Sequence, residues 1–189
     1  MLEKLQSTVG RTLRRVRPGL GRIVARRSDI ASLGLAIRLE SPAFGEGGII
    51  PVRFTADADH EPSSPPLTWG AVPDGTRSLA LIVEDADSPT LSPLVHAIAF
   101  GISPLIDEIV DGALVAGSQM LQLGKSSFLK TGWLPPDPPP GHGVHQYAFQ
   151  LFALDHEPDL GEHPGRHALV KAITGHVLGH GLVVGTYSR

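Results

Sequence analysis

Two hydrophobic periods divide the chain. Leu2, Leu5, Val9, Leu13, Val16, Leu20 and Ile23 recur every three or four positions, the spacing of one helical face. Arg11, Arg14, Arg15, Arg22 and Arg26 fall on the other faces, and Pro18, Gly19 and Gly21 predict a break or kink. Beyond residue 35 the pattern changes. AIRLESPAF (36–44) and IIPVRFTAD (50–58) read as strands, and SPPLTWGAVPDGTRS (64–78) as turn-rich chain. SLALIVED (78–85) is nearly continuous in apolar residues, as expected of a strand buried on both faces. LVHAIAFGI (94–102) is another strand, and HQYAFQLFALD (145–155) is a long one. Residues 103–144, broken by Gly and Pro, predict a long loop region, and loops of that length are often functional. HPGRHALVKAITGHVLGHG (163–181) has helical periodicity, with Pro164 near its start and Gly181 as a stop. LVVGTYSR (182–189) reads as a final short strand.

Strands come first and one substantial helix comes late, so the chain is not an alternating βαβ protein. The expectation is a mainly β fold: an antiparallel sandwich-like core with a C-terminal helix outside it. A chain of 189 residues fits one domain plus an arm, divided here as a basic amphipathic helical arm (1–30) and a domain (31–189). Gly 22 and Pro 17 favour a loop-rich β protein over a helical bundle. The absence of cysteine excludes disulfides, thiolate metal sites and cysteine nucleophiles.

Charge separates the two parts. Residues 1–30 hold eight Lys/Arg against two Asp/Glu, a net of +6; the total of −3 leaves −9 for the rest. An acidic body argues against nucleic-acid binding. No apolar run is long enough to span a bilayer, and there is no continuous apolar h-region at the start. The expectation is a cytoplasmic protein that does not insert into membranes. The arm is Arg-rich and acid-poor, like a transit peptide. Its apolar stripe needs a partner: the chain's own body, a second copy in a homodimer, or a membrane surface.

Three strand termini carry groups capable of chemistry. In EDADSP (84–89), Asp85 and Asp87 share one side of a strand end. In VHAIAF (95–100), His96 stands in a strand with no other polar side chain. In HQY (145–147), His145 and Tyr147 share a face. Taken singly, Asp before Ser-Pro is a turn former, and a His or Tyr in a strand is packing. The combination is what points to a site.

These segments resemble the phosphatidylethanolamine-binding protein family, in its bacterial Raf-kinase-inhibitor-like branch. The matching stretches are SPPLTWGAVPDGTRSLALIVEDADSP, VHAIAFGI, GKSSF followed by GWLPPDPPPGHGVHQYAFQLFALD, and GHVLGHGLVVGTYSR. They run in order over residues 36–189; residues 1–30 lie outside the resemblance. It implies a large antiparallel sheet packed on a smaller one, peripheral helices, and a pocket for small anions such as phosphate and phospho-headgroups. The pocket residues it implies are Asp85, His96, His145 and Tyr147, with the Pro136–Pro139 loop, including Pro138, as rim. Asp87, Trp133 and Gly141 are implied supports. This chain departs from the family pattern in four places. Ala86 replaces the central proline of Asp-Pro-Asp-Ala-Pro, and Val95 and Ala97 replace the aromatics flanking the pocket histidine. Trp133-Leu134-Pro135-Pro136 stands for Tyr-x-Gly-Pro, and Gln146 for an arginine.

Such residues suit an anion. Imidazole N–H groups and a phenol hydroxyl are donors to phosphate oxygens. Asp85 repels an anion unless it accepts a hydrogen bond from a histidine and fixes its tautomer, or shares a proton with a monoprotonated phosphate. Either way, binding is expected to weaken as pH rises through the histidine range. The expected function is small-anion or phospho-ligand binding that modulates a partner protein, such as a kinase or hydrolase, without catalysis and without a cofactor. Two alternatives stay open: a hydrolase acting on a small phosphoester or ester in the same pocket, and a protease or peptidase inhibitor acting through a loop or the arm. His176 and His180, spaced i, i+4 in the predicted helix, suggest a metal pair. No carboxylate accompanies them, so they read as a helix face or cap, and no metal site is expected. His156, His163 and His167 are expected to be exposed. Gly-Lys-Ser at 124–126 lacks the rest of a P-loop, and no Gly-x-Ser-x-Gly elbow supports a serine nucleophile.

Overall fold

The computed structural model describes residues 15–118 and 121–189, together with Thr12. Its strands are β1 (Leu39–Glu40), β2 (Leu67–Trp69), β3 (Ser78–Asp85), β4 (Leu94–Ile102), β5 (Glu108–Ile109), β6 (Gln122–Leu123), β7 (His145–Leu154) and β8 (Val177–Tyr187). Among the described residues, the helices with both ends described are α1 (Ser28–Ala31) and α2 (Arg166–Ile173). The strands form a five-stranded sheet in the order β6-β4-β3-β7-β8 and a small sheet in the order β1-β2-β5. All the pairings between them are antiparallel.

The large sheet is covered on both sides, which is why its central strands are apolar throughout. Leu79, Leu81 and Val83 of β3 join Tyr147, Phe149 and Leu151 of β7 in the core shared with the small sheet and the long loops. The alternate residues Ala80, Ile82, Phe152 and Leu154 face the other way. There they pack with Val24, Ala25 and Ile30 of the N-terminal segment and with Leu169 and Ile173 of α2. The chain thus has three layers: small sheet, large sheet, and a cover made of both chain ends.

Glu84 and Gln150 interrupt that second apolar face, and both are fully buried. They hold the N-terminal segment as a strand neighbour would. Glu84 Oε2 accepts from the Val24 N–H at 2.9 Å and from Gln150 Nε2 at 2.8 Å. Its other oxygen accepts from Arg166 Nε of α2 at 2.6 Å. Gln150 Oε1 accepts from the Ala25 N–H at 2.8 Å. Each buried polar group in this set finds a partner, as the cost of leaving one bare requires.

Several expectations change. In the described part of the arm, residues 20–26 form two 3-10 turns separated at Ile23, not a continuous helix. Pro18, and Gly19 with φ 78°, set this break. The arm packs on its own body from Ile23 to Ile30. Leu2, Leu5, Val9 and Leu13 of the expected stripe lie outside the described residues. The strand expected at 36–44 shrinks to β1, and that at 50–58 is replaced by a 3-10 turn at Val52–Phe54. Pro42, Gly45, Gly47, Gly48 and Pro51 punctuate this segment, which makes only isolated bridges beyond β1.

The expected C-terminal helix exists but is short. It ends at Ile173, where Gly175 turns the chain with φ 82°. GHVLGHG then enters β8, an eleven-residue strand. Its glycines are the reason: Gly185 lies against Ile50 and Phe44, and a Cβ there would meet them at 2.6 and 2.8 Å. His176 and His180 are therefore not one helical turn apart. His180 is buried in β8 and stacked on Phe152, while His176 is exposed just before that strand.

Candidate ligand-binding site

The three strand ends meet because β3 is the central strand. Asp85 pairs with Tyr147 of β7 on one side and with Leu94 of β4 on the other. Asp85, His145 and Tyr147 lie on the face shared with the small sheet by simple alternation. His96 does not: alternation from Ala97 and Ala99, which face that core, would turn it to the opposite side. A β-bulge resolves this. Val83 pairs with Ala97 and Glu84 with Val95, so His96 is an extra residue with no opposite number. A bulge re-aims its side chain, and the His96 ring comes to 5.1 Å from Tyr147 and 6.2 Å from Trp133 (centroid distances).

Each ring is held by a defined partner. His96 Nδ1 lies 2.6 Å from the Leu134 carbonyl. A carbonyl only accepts, so Nδ1 carries the proton. The Leu134 N–H returns a bond to the His96 carbonyl at 2.8 Å. Burial lowers the His96 pKa, outweighing the opposing pull of Asp85. His96 is thus neutral at physiological pH, and its Nε2 is a lone-pair acceptor. That atom is shut off from solvent and has no partner among the described residues. Neither has the Tyr147 hydroxyl, whose pKa is pushed far up by burial and by the Asp85 charge.

His145 is committed inside the protein. Its Nδ1 lies 2.7 Å from Asp85 Oδ2, so it donates to that carboxylate. Its Nε2 lies 2.7 Å from Nδ1 of His142. With the proton on Nδ1, a neutral His145 accepts at Nε2 from the His142 N–H. Asp85, His145 and His142 form a hydrogen-bonded row, all three buried. The other Asp85 oxygen accepts from the Asp87 N–H at 2.8 Å. Both Asp85 oxygens are therefore occupied, and the carboxylate orients His145.

His142 was not singled out by sequence reasoning. Its signal was its place in Gly-His-Gly, three residues before His145. Gly141 and Gly143 have φ of 77° and 103°, conformations that favour glycine, and they fold the loop so that His142 turns inward. Asp87 Oδ2 accepts from the Gln146 N–H at 2.9 Å, and its other oxygen pairs with Arg17 at 3.0 Å. Arg17 also donates to the carbonyls of Val144 and His142, both at 2.7 Å. One arginine of the basic arm thus ties the loop that carries His142 and His145.

The remaining expected residues sit around this centre. The Trp133 ring stacks on Phe149, and its Nε1 donates to the Phe54 carbonyl at 3.0 Å. Pro136 and Pro138 are buried in the loop before His142, and the Pro136 carbonyl accepts from the Ala56 N–H at 2.9 Å. Gly141 is at the surface, its N–H bonded to the Arg189 carbonyl at 3.2 Å. Of the departing positions, Val95 faces the layer of chain ends and Ala97 the pocket-side core. A groove of about 870 Å³ lies elsewhere, lined by residues 35–46, Thr68, Leu182 and Val183. It contains none of these side chains.

The chain is thus a two-sheet β-sandwich with a buried polar cluster at the ends of β3, β4 and β7. Residues 40–188 match the family model described as phosphatidylethanolamine-binding protein, and the chain belongs to that family. A UPF0098 protein of Pyrococcus horikoshii is 36% identical over 154 residues, 79% of this chain and 75% of that protein. A UPF0098 protein of Methanothermobacter thermautotrophicus is 36% identical over 157 residues, 81% of this chain and 99% of that protein. Among solved structures, a phosphatidylethanolamine-binding protein homolog of Chlamydia trachomatis superposes with a TM-score of 0.73 at 31% identity. It covers 82% of this chain and 98% of its own. YbcL of E. coli has the same fold, with a TM-score of 0.74 at 22% identity, covering 81% of this chain and 98% of its own. These names carry no enzymatic activity. Among the described residues, no helix is long and apolar enough to cross a membrane.

Proposed function

We propose that this chain binds a small anion carrying at least one proton, a phosphate or a phosphorylated headgroup, at the ends of β3, β4 and β7. One observation carries the reading: the Tyr147 hydroxyl and His96 Nε2 are both buried without partners among the described residues, on rings whose centroids lie 5.1 Å apart. An unsatisfied buried group costs about 1–3 kcal/mol. A monoprotonated phosphoryl group suits both, since one oxygen accepts from the tyrosine and its P–O–H donates to His96 Nε2. Asp85 does not stand in the way, because its charge is absorbed by His145 and the Asp87 amide. His145 joins the ligand once His142 yields its Nε2. Two or three charge-assisted bonds of about 1.5–3 kcal/mol each correspond to micromolar-to-millimolar affinity.

The same geometry supports binding over catalysis. Both His145 nitrogens are engaged within the protein, and no hydroxyl nucleophile is paired with a base at the centre among the described residues. The role in a cell is modulation of a partner protein through the bound anion, as the Raf-kinase-inhibitor-like resemblance suggests. The test is calorimetric titration with inorganic phosphate and with O-phosphorylethanolamine at about pH 6 and about pH 8, followed by phosphorus NMR. Saturable binding with the ligand intact, weaker at the higher pH, is expected. No heat at millimolar ligand would sink the proposal. Release of phosphate that depends on His145 would replace it with the hydrolase reading.

A further inference from the structure

At the far end of β7, one ten-residue strand and about 30 Å from His145, three side chains converge outside the pocket. We propose that Asp155, His156 and His176 form a binding site for a divalent transition-metal ion of the zinc, cobalt, nickel or copper type. Their ligand atoms all lie within 4.8 Å of one another, and they are the one such trio of His, Asp or Glu among the described residues.

The donor atoms already stand close to coordination geometry. A tetrahedral ion with ligands at about 2.1 Å places its donors about 3.4 Å apart. His176 Nδ1 is 2.9 Å and His156 Nδ1 3.3 Å from the same oxygen, Asp155 Oδ1. The two imidazoles pack together with centroids 4.2 Å apart. One nitrogen is left over: His156 Nδ1 is shut off from solvent and makes no well-directed hydrogen bond. Two histidines crowding one carboxylate oxygen leave a donor without a good acceptor. A cation at their centre removes that conflict, because each nitrogen then presents a lone pair to it.

The backbone fixes the trio before any ion arrives. The Asp155 N–H bonds the His176 carbonyl at 3.2 Å, and Leu154 pairs with Val177 across β7 and β8. The His176 N–H bonds the Ile173 carbonyl at 3.0 Å, and Ser78 Oγ donates to the His156 carbonyl at 2.7 Å. The ligands come from two chain segments 21 residues apart, joined through α2. An ion there clamps the end of the β7–β8 pair. Two imidazoles and one carboxylate suit borderline metals rather than calcium or magnesium. A fourth position is left for water.

The test is calorimetric titration of the full chain with zinc chloride, repeated with cobalt(II), whose visible absorption reports tetrahedral ligation. One ion per chain is expected, with a rise in the thermal midpoint. His176→Ala, His156→Ala and Asp155→Asn are each expected to weaken binding at least about tenfold, and His167→Ala to leave it unchanged. All three positions are at least partly exposed, so the variants fold. Equal affinity in His176→Ala, or loss of binding in His142→Ala instead, would overturn the site; the second result would place the ion in the buried histidine row.

Discussion

The Tyr147 ring stands edge-on to the His96 ring, with centroids 5.1 Å apart and planes at 84°. Each presents one polar atom to the protein interior, and neither atom has a partner among the described residues. Burial of this kind is a cost that a folded chain normally avoids. It persists here beside a fully bonded row, Asp85–His145–His142. The frame is thus satisfied while two atoms are not, and the proposed anion would supply the partners they lack.

On the proposed reading, His142 competes with the anion. It occupies His145 Nε2 at 2.7 Å, the acceptor that a P–O–H of a bound phosphate would need. His142→Ala is expected to raise phosphate affinity several-fold while lowering stability by about 1–2 kcal/mol through loss of a buried, bonded ring. Titration alongside urea denaturation measures both. Unchanged or reduced affinity would mean that His142 is itself a ligand contact.

Stability and binding separate at Glu84 and Arg17. Glu84→Ala removes the acceptor shared by Val24, Gln150 and Arg166, leaving buried donors bare. A loss of about 3 kcal/mol is expected, with phosphate affinity unchanged. Arg17→Ala frees the carbonyls of His142 and Val144 and one oxygen of Asp87. It is expected to cost about 1–2 kcal/mol and to weaken phosphate binding as well. Equal effects of the two variants on affinity would show that the arm has no specific link to the pocket loop. Deleting residues 1–30 cannot make this distinction, because it strips Ile23, Val24, Ala25 and Ile30 from the core.

Acid should destabilise the fold through its buried histidines. Burial lowers the pKa of both His96 and His180 from the ordinary value of 6.5. As pH falls through 6.5, the unfolded chain takes up protons that the folded chain does not. Stability is thus full above that value and falls below it, by at most about 1.4 kcal/mol per pH unit for each group. Urea denaturation across this range tests the slope, which should be shallower in His180→Gln. A flat profile would contradict neutral burial of both rings.

How legible all this was depends on where the information lies. β3, β4 and β7 were readable because apolar continuity marks strands covered on both faces. β8 was legible only in its second half, read as a strand from 182. Its first half was read as helix because glycines 179 and 181 carry no hydropathy signal; they are there because Ala36, Pro73, Ile37 and Leu39 approach that strand closely. That Asp85 accepts from a histidine was expected from its chemistry, but that the histidine is His145 was not legible. Nor was the orientation of His96, since it depends on a bulge that places an extra residue opposite Glu84 and Val83. The buried role of Glu84 was invisible because its partners, the Val24 amide and the Gln150 and Arg166 side chains, lie 60 or more residues away. The reach of Arg17 to residues 142 and 144 likewise spans more than a hundred positions.

The most direct measurement is on Tyr147→Phe, by denaturation and phosphate titration of the same preparation. Removing an unpartnered buried hydroxyl leaves the packing intact and deletes only its desolvation cost. The account predicts a ligand-free protein as stable as the parent or up to about 1–3 kcal/mol more so, with phosphate affinity weakened about tenfold or more. A variant that loses stability while keeping its phosphate affinity would contradict it, because the hydroxyl would then be bonded within the fold and not left for an anion.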